Sequence, residues 1–167
     1  MVHFFLRCIS ESRPQWMVYP ASEAWGFERT MSLTMNLKIP VSPGELLDKL
    51  TILEIKSERI DDSDKLVNIC HELALLQAVW GQADQDSEAL RTLRAELKHV
   101  NETLWVIEDD IRMCENAACF DDRFIELARS VYITNDKRSD LKKQINRALG
   151  SAITEEKSYQ DYRGNQE

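Results

Sequence analysis

The chain has no apolar run approaching the ~20 residues a helix needs to cross a bilayer, so none of its 167 residues reads as part of a membrane span. It has no basic excess either. The formal charge is −8, whereas nucleic acid and anionic membrane both reward Lys and Arg. That balance predicts no nucleic-acid partner and no membrane partner. Cysteine motifs are missing: Cys8, Cys70, Cys114 and Cys119 form no C-x-x-C, and no second Cys/His pair stands at zinc-finger spacing. The pattern predicts reduced thiols in a cytoplasmic protein. The segment 1–9 is apolar but carries His3 and Arg7, and it has neither a basic leading region nor a small-residue cleavage site. It does not read as a secretory signal.

Motifs of catalysis and metal binding are also lacking. Glu96 and His99 have the Glu-x-x-His spacing of di-iron bundles, but the motif occurs once where such sites need two. His71-Glu72 lacks the rest of a zincin pattern. Gly44 stands at a helix start, where backbone amides can cradle a phosphate, yet no strand precedes it. Glu108-Asp109-Asp110 reads as a solvated outer face. No Ser/His/Asp or Cys/His set comes together. The expectation is therefore no metal, no cofactor, and an interaction module rather than an enzyme.

What the chain does have is a long heptad. Leu90, Leu93, Leu97, Val100, Leu104, Ile107, Ile111 and Cys114 follow one another at alternating steps of three and four, which places them on one stripe of a helix. Ser42-Pro43-Gly44-Glu45 marks an earlier helix start, with Ser42 as cap and Glu45 completing a capping box. That first helix runs through Leu46, Leu50, Leu53 and Ile60, and Leu47, Ile52 and Ile55 widen its apolar face. A stripe so wide implies burial on more than one side. Leu66, Ile69, Leu73, Leu76 and Trp80 form a second seam, two residues out of phase with the first, so Asp61 to Asp64 mark a break. Gly81 ends that helix. The third spans about 88–116. The fourth carries Phe124, Leu127, Val131, Thr134, Arg138, Leu141, Ile145 and Ala148 and stops at Gly150.

Short turns make successive helices antiparallel neighbours. Folding the fourth helix on the third aligns Val131 with Ile107 and Leu141 with Leu97; folding the second on the third aligns Ile69 with Leu97 and Leu73 with Leu93. The agreement of the seams predicts an all-α fold, an antiparallel helical bundle with long, coiled-coil-like helices. The first helix either stacks on the second or folds back as a further bundle element. Residues 35–150 form the bundle domain and 151–167 a polar, loosely docked tail. Residues 1–34 read as an unstructured leader, with Met35 as an alternative start.

The same register interrupts the apolar core once. Thr134 falls level with Leu104 and Arg138 with Val100, beside Asn101, Trp105 and Asn135, and across from Asp62, Ser63 and Asp64. A buried Arg needs a partner. Pairing with Asp62 or Asp64 would fix helix register; otherwise Arg138 would clamp an anion, with Thr134 and Asn135 hydrogen-bonding to it. Lys137, Arg138, Lys142, Lys143 and Arg147 make the fourth helix locally basic, and pairing within the molecule is the expectation for them.

From about Met35 onward the chain resembles a short, uncharacterised bacterial family, a domain of unknown function. The resemblance rests on the run from Pro43 to Lys56 (PGELLDKLTILEIK), on Leu104 to Asp109 (LWVIED), on Thr134 to Arg138 (TNDKR) and on Glu155 to Tyr159 (EEKSY). It implies no activity. The functional expectation is a non-catalytic cytoplasmic module that self-associates as a homodimer or engages a protein partner. The alternative is a binder of, or enzyme acting on, a phosphate or carboxylate ligand at the layer of Arg138, Thr134, Asn135, Asn101, Trp105, Asp62 and Asp64.

Overall fold

The computed structural model describes residues 37–83 and 87–158; the leader expected over 1–34 lies outside them. Compactness divides the chain into Met1–Pro40 and Val41–Glu167, and every helix among the described residues belongs to the second unit. These are α1 (Pro43–Arg59), α2 (Ser63–Gly81), α3 (Glu88–Asn116) and α4 (Asp122–Ala148). The fold is all-α, as the periodicity predicts.

Each helix begins at a side-chain cap that satisfies amides the first turn leaves without partners. Ser42 accepts from the Glu45 amide, Asp62 from Asp64 and Lys65, Ser87 from Leu90, and Asp121 from Phe124. The Asp62 carboxyl lies below its ordinary range, chiefly because the Lys65 amide donates to it. At α1 the expected capping box is half used: Glu45 turns its carboxylate to Lys142 on α4. Ile60 leaves α1 in an extended conformation, so the phase slip between the first two seams is a genuine break.

Helix α1 is the hub. It packs against α2, α3 and α4, while α3 and α4 pair along their length. It runs antiparallel to α4, since Gly44 meets Asn146, Glu45 meets Lys142 and Asp48 meets Arg138. A Lys49–Glu72 ion pair at 2.6 Å spans α1 and α2. The backbone of α2 approaches neither α3 nor α4 closely among the described residues, which corrects the expected direct docking of α2 on α3. Ile69 and Leu73 do share one apolar cluster with Leu90 and Leu97, but Leu47, Leu50 and Leu53 of α1 belong to it as well. The broad apolar face of α1 serves this purpose, because a helix touched on three sides needs more than one stripe.

Seam positions are buried or half-buried as expected, except Ala148, which is exposed while Leu149 is half-buried. Toward the α3–α4 turn, Ile111, Cys114, Phe124, Leu127 and Val131 are only half-buried. Helices α1 and α2, of 17 and 19 residues, are too short to flank all 29 residues of α3. Cys114 and Cys119 carry free thiols; Cys70 does not stand free, a departure from four reduced cysteines.

Candidate functional site

The polar layer exists, and its centre is on α1. Asp48 follows Leu47 and lies within one turn of Leu50, both fully buried, so its carboxylate is carried into the core with them. Arg138 closes on it with two donors. Nε reaches Asp48 Oδ1 at 2.7 Å and Nη2 reaches Asp48 Oδ2 at 2.5 Å. This is the bidentate fork geometry that makes Arg–carboxylate pairs strong and directional. Asn101, buried on α3, donates through Nδ2 to Asp48 Oδ1 at 2.9 Å and to Thr51 Oγ1 at 3.0 Å. Thr51 in turn donates to the Asp48 carbonyl. Asn135 Oδ1 accepts from Arg138 Nη1 at 3.4 Å, and its Nδ2 donates to the Val131 carbonyl. The hydrogen bonds that Arg138 donates to the Asp48 carboxylate hold its guanidinium above its ordinary pKa, against a burial that pulls the other way.

One to two turns further along α4 lies a second cluster. The ammonium of Lys142, a residue only 6% exposed, takes Glu45 from α1 and Glu155 from beyond α4, the latter at 2.8 Å. Burial by itself would lower the Lys142 pKa, but hydrogen bonds to Glu155 and Glu45 outweigh it and hold the pKa above the usual lysine value. The Gly44 amide donates to Asn146 Oδ1 at 2.7 Å. A Cβ at Gly44 would stand 2.6 Å from the Lys142 carbonyl oxygen and 2.9 Å from Asn146 Oδ1. Gly44 thus lets α1 touch α4, and its amide is already engaged by Asn146.

Of the expected site residues, Arg138, Asn135 and Asn101 meet around Asp48, and Thr134 is buried in the same stretch of α4. Trp105 is half-buried and engaged elsewhere, with the Arg59 guanidinium 5.8 Å from its ring centroid, a cation–π distance. Asp62 and Asp64 are not Arg138's partners. Asp62 caps α2 and both residues are exposed, because α1, rather than the α1–α2 break, lies against Arg138.

Sequence reasoning missed Asp48, Thr51, Glu45, Lys142, Asn146 and Glu155. A signal was present: Asp48 and Thr51 are a polar pair three residues apart, enclosed by Leu47, Leu50 and Leu53 on a helix that must bury more than one side. The expectation that the basic residues of α4 pair internally holds for Arg138 and Lys142, with α1 and the tail supplying the carboxylates. The tail is also tied more firmly than expected, through Glu155. Among the described residues, no group of three or more His, Cys, Asp or Glu is placed to hold a metal ion, and no helix is long and apolar enough to cross a membrane. The buried Asp48 carboxylate is held by Arg138 Nε and Nη2 and by Asn101 Nδ2, so the layer's chemistry as it stands is that of a hydrogen-bonded joint between α1, α3 and α4.

No curated protein and no solved structure matches the chain. Residues 37–164 match the family model described as a family of unknown function, DUF6165. That span takes in all four helices, the Asp48–Arg138 layer and Glu155, and on its strength the chain belongs to the DUF6165 family.

Proposed function

We propose that this protein is a non-catalytic cytoplasmic assembly module whose helices present a surface for self-association, a homodimer of bacterial origin with coiled-coil-type packing. The observation that supports this reading is the occupancy of Arg138. A ligand site at the layer requires a free guanidinium edge facing an open cavity, and here both donors of one edge are committed to Asp48. The only buried side-chain polar atom without a partner among the described residues is the Ser139 hydroxyl. Large apolar side chains do stand exposed on the helices, among them Val67 and Leu75 on α2, Val106 and Met113 on α3 and Ile125 on α4, and covering them with a second copy would take apolar area out of water.

A second reading has one observation in its favour. Arg138 Nη1 has only the long 3.4 Å contact to Asn135, and 27% of the side chain is exposed, so an anionic phosphate or carboxylate could approach that edge. Two measurements decide between the readings. Analytical ultracentrifugation should show concentration-dependent association. A thermal-shift screen of sugar phosphates, nucleotides and carboxylates should leave the melting temperature unchanged. A monomer stabilised by one of those anions, with the shift abolished in Arg138→Met, would replace the first reading by the second.

A further inference from the structure

We propose that Cys114 and Cys119 form a dithiol site that a small disulfide of the oxidised-glutathione class converts to an intramolecular disulfide; the inference stands apart from the assembly reading. Its basis is the way α3 ends. The Cys119 amide donates to the Cys114 carbonyl and the Ala118 amide to the Glu115 carbonyl, both at 3.0 Å. Ala118 takes the left-handed conformation, with φ of 50°. Two nested bonds around a left-handed residue make a Schellman motif, which sets the side chains at the two ends of its outer bond against each other. In this chain both ends are cysteines, and both thiols are free. With the amide 3.0 Å from the carbonyl oxygen, standard bond lengths keep the two Cα atoms within about 7 Å, and a disulfide spans about 4.4–6.8 Å. The thiols are also close enough for the charge of Cys114 to act on Cys119.

Exposure sets the order of the exchange. Cys119 is exposed and Cys114 half-buried, so Cys119 meets the reagent first. Its sulfur, once deprotonated, attacks one sulfur of oxidised glutathione; the S–S bond of the reagent breaks and one glutathione leaves. The Cys114 thiolate then attacks the Cys119 sulfur of the mixed disulfide and expels the second glutathione. Two electrons pass from the cysteines to the reagent, and the two protons they give up end on the two glutathione thiols. Asp121 restrains the first step. Cys119 Sγ donates to Asp121 Oδ2 at 3.4 Å, and that bond holds the thiol above its ordinary pKa, whereas the thiolate is the nucleophile. The other oxygen, Oδ1, accepts from the Phe124 amide, so the cap of α4 fixes the carboxylate beside the thiol. Asp121 is thus a positioning residue that keeps the pair reduced until disulfide accumulates.

The test incubates the full-length protein with oxidised glutathione at neutral pH, alkylates the remaining thiols and digests with trypsin without reductant. Cleavage after Arg112 and Arg123 leaves both cysteines on one peptide, residues 113–123, apart from Cys8 and Cys70. Mass spectrometry should find that peptide unalkylated and lighter by two hydrogens, in a protein whose circular dichroism is unchanged. Cys114→Ser should retain glutathione on Cys119, because no second thiol expels it. Asp121→Asn, which can still cap the helix, should form the disulfide about threefold faster, since more thiolate outweighs its lower nucleophilicity. A wild-type peptide that stays doubly alkylated, keeps glutathione on Cys119 or links only between chains would overturn the site. So would a disulfide that forms only in urea. An unchanged rate in Asp121→Asn would overturn the role of Asp121.

Discussion

Arg138 and Asp48, 90 residues apart in the chain, share two hydrogen bonds at the α1–α4 interface. The Asp48 side chain is 4% exposed and that of Arg138 27%, so the carboxylate stands almost out of water while the guanidinium keeps one edge toward it. The pair's worth is positional. A buried ion pair seldom outperforms a well-packed apolar pair in stability, but it penalises every register in which either charge is stranded. Asn101 extends the joint to α3, and one carboxylate therefore sets the placement of three helices.

Gly44 tests the closeness of α1 to α4. Gly44→Ala should destabilise the fold by about 1–3 kcal/mol, the usual cost of overpacking, although alanine is the better helix former. The obstacle is the Lys142 backbone carbonyl, which has no rotamer to escape into. Gly81→Ala, with nothing within 4 Å of the added carbon, should be neutral or slightly stabilising. Urea denaturation of the two variants side by side checks this, and equal effects would contradict it.

Glu155 makes the stability depend on acid. Its hydrogen bond to Lys142 holds the carboxyl below its ordinary value of 4.5. A carboxyl with a depressed folded-state pKa contributes stability that is present above its unfolded value and lost as pH falls through the folded one. Wild type should therefore melt above Glu155→Gln at neutral pH, and the gap should close on acidification below about 4.5. A gap that persists unchanged at low pH would mean that Glu155 does not pair with Lys142.

Leu97 is fully buried in the central apolar cluster. Leu97→Ala should cost about 2–5 kcal/mol, as buried leucine truncations do. Glu96→Ala, one residue earlier and exposed, should stay within about 0.5 kcal/mol. Comparable small effects at both positions in chemical denaturation would refute the assigned face of α3.

The first two helix starts were legible because Ser42 and the Asp61 to Asp64 group have one local use there, and Ser42 and Asp62 do cap the turns that follow; Ser87 and Asp121 cap α3 and α4 in the same way. The seam of α3 was legible because a strict three-four alternation fits one face only. What a heptad cannot say is which neighbour a broad-faced helix chooses. Leu46, Leu47, Leu50 and Leu53 announce that α1 is buried widely, but nothing local says that it stands between α2 and α3. For the same reason Arg138 was recognisable as a core arginine while Asp48 was not recognisable as its partner. The Lys142–Glu155 contact depends on how the chain turns after Leu149, where no periodicity operates.

The central claim is that Arg138 belongs to a closed structural pair with Asp48, and a double-mutant cycle in urea measures it directly. Arg138→Met should strand the Asp48 carboxylate and cost about 3 kcal/mol. Asp48→Leu should also destabilise, by leaving Arg138 and Asn101 without their acceptor, and the double variant Asp48→Leu/Arg138→Met should recover most of the combined loss. An Arg138→Met protein as stable as wild type, or additive losses in the double variant, would contradict the pair and return Arg138 to the role of a cation awaiting a ligand.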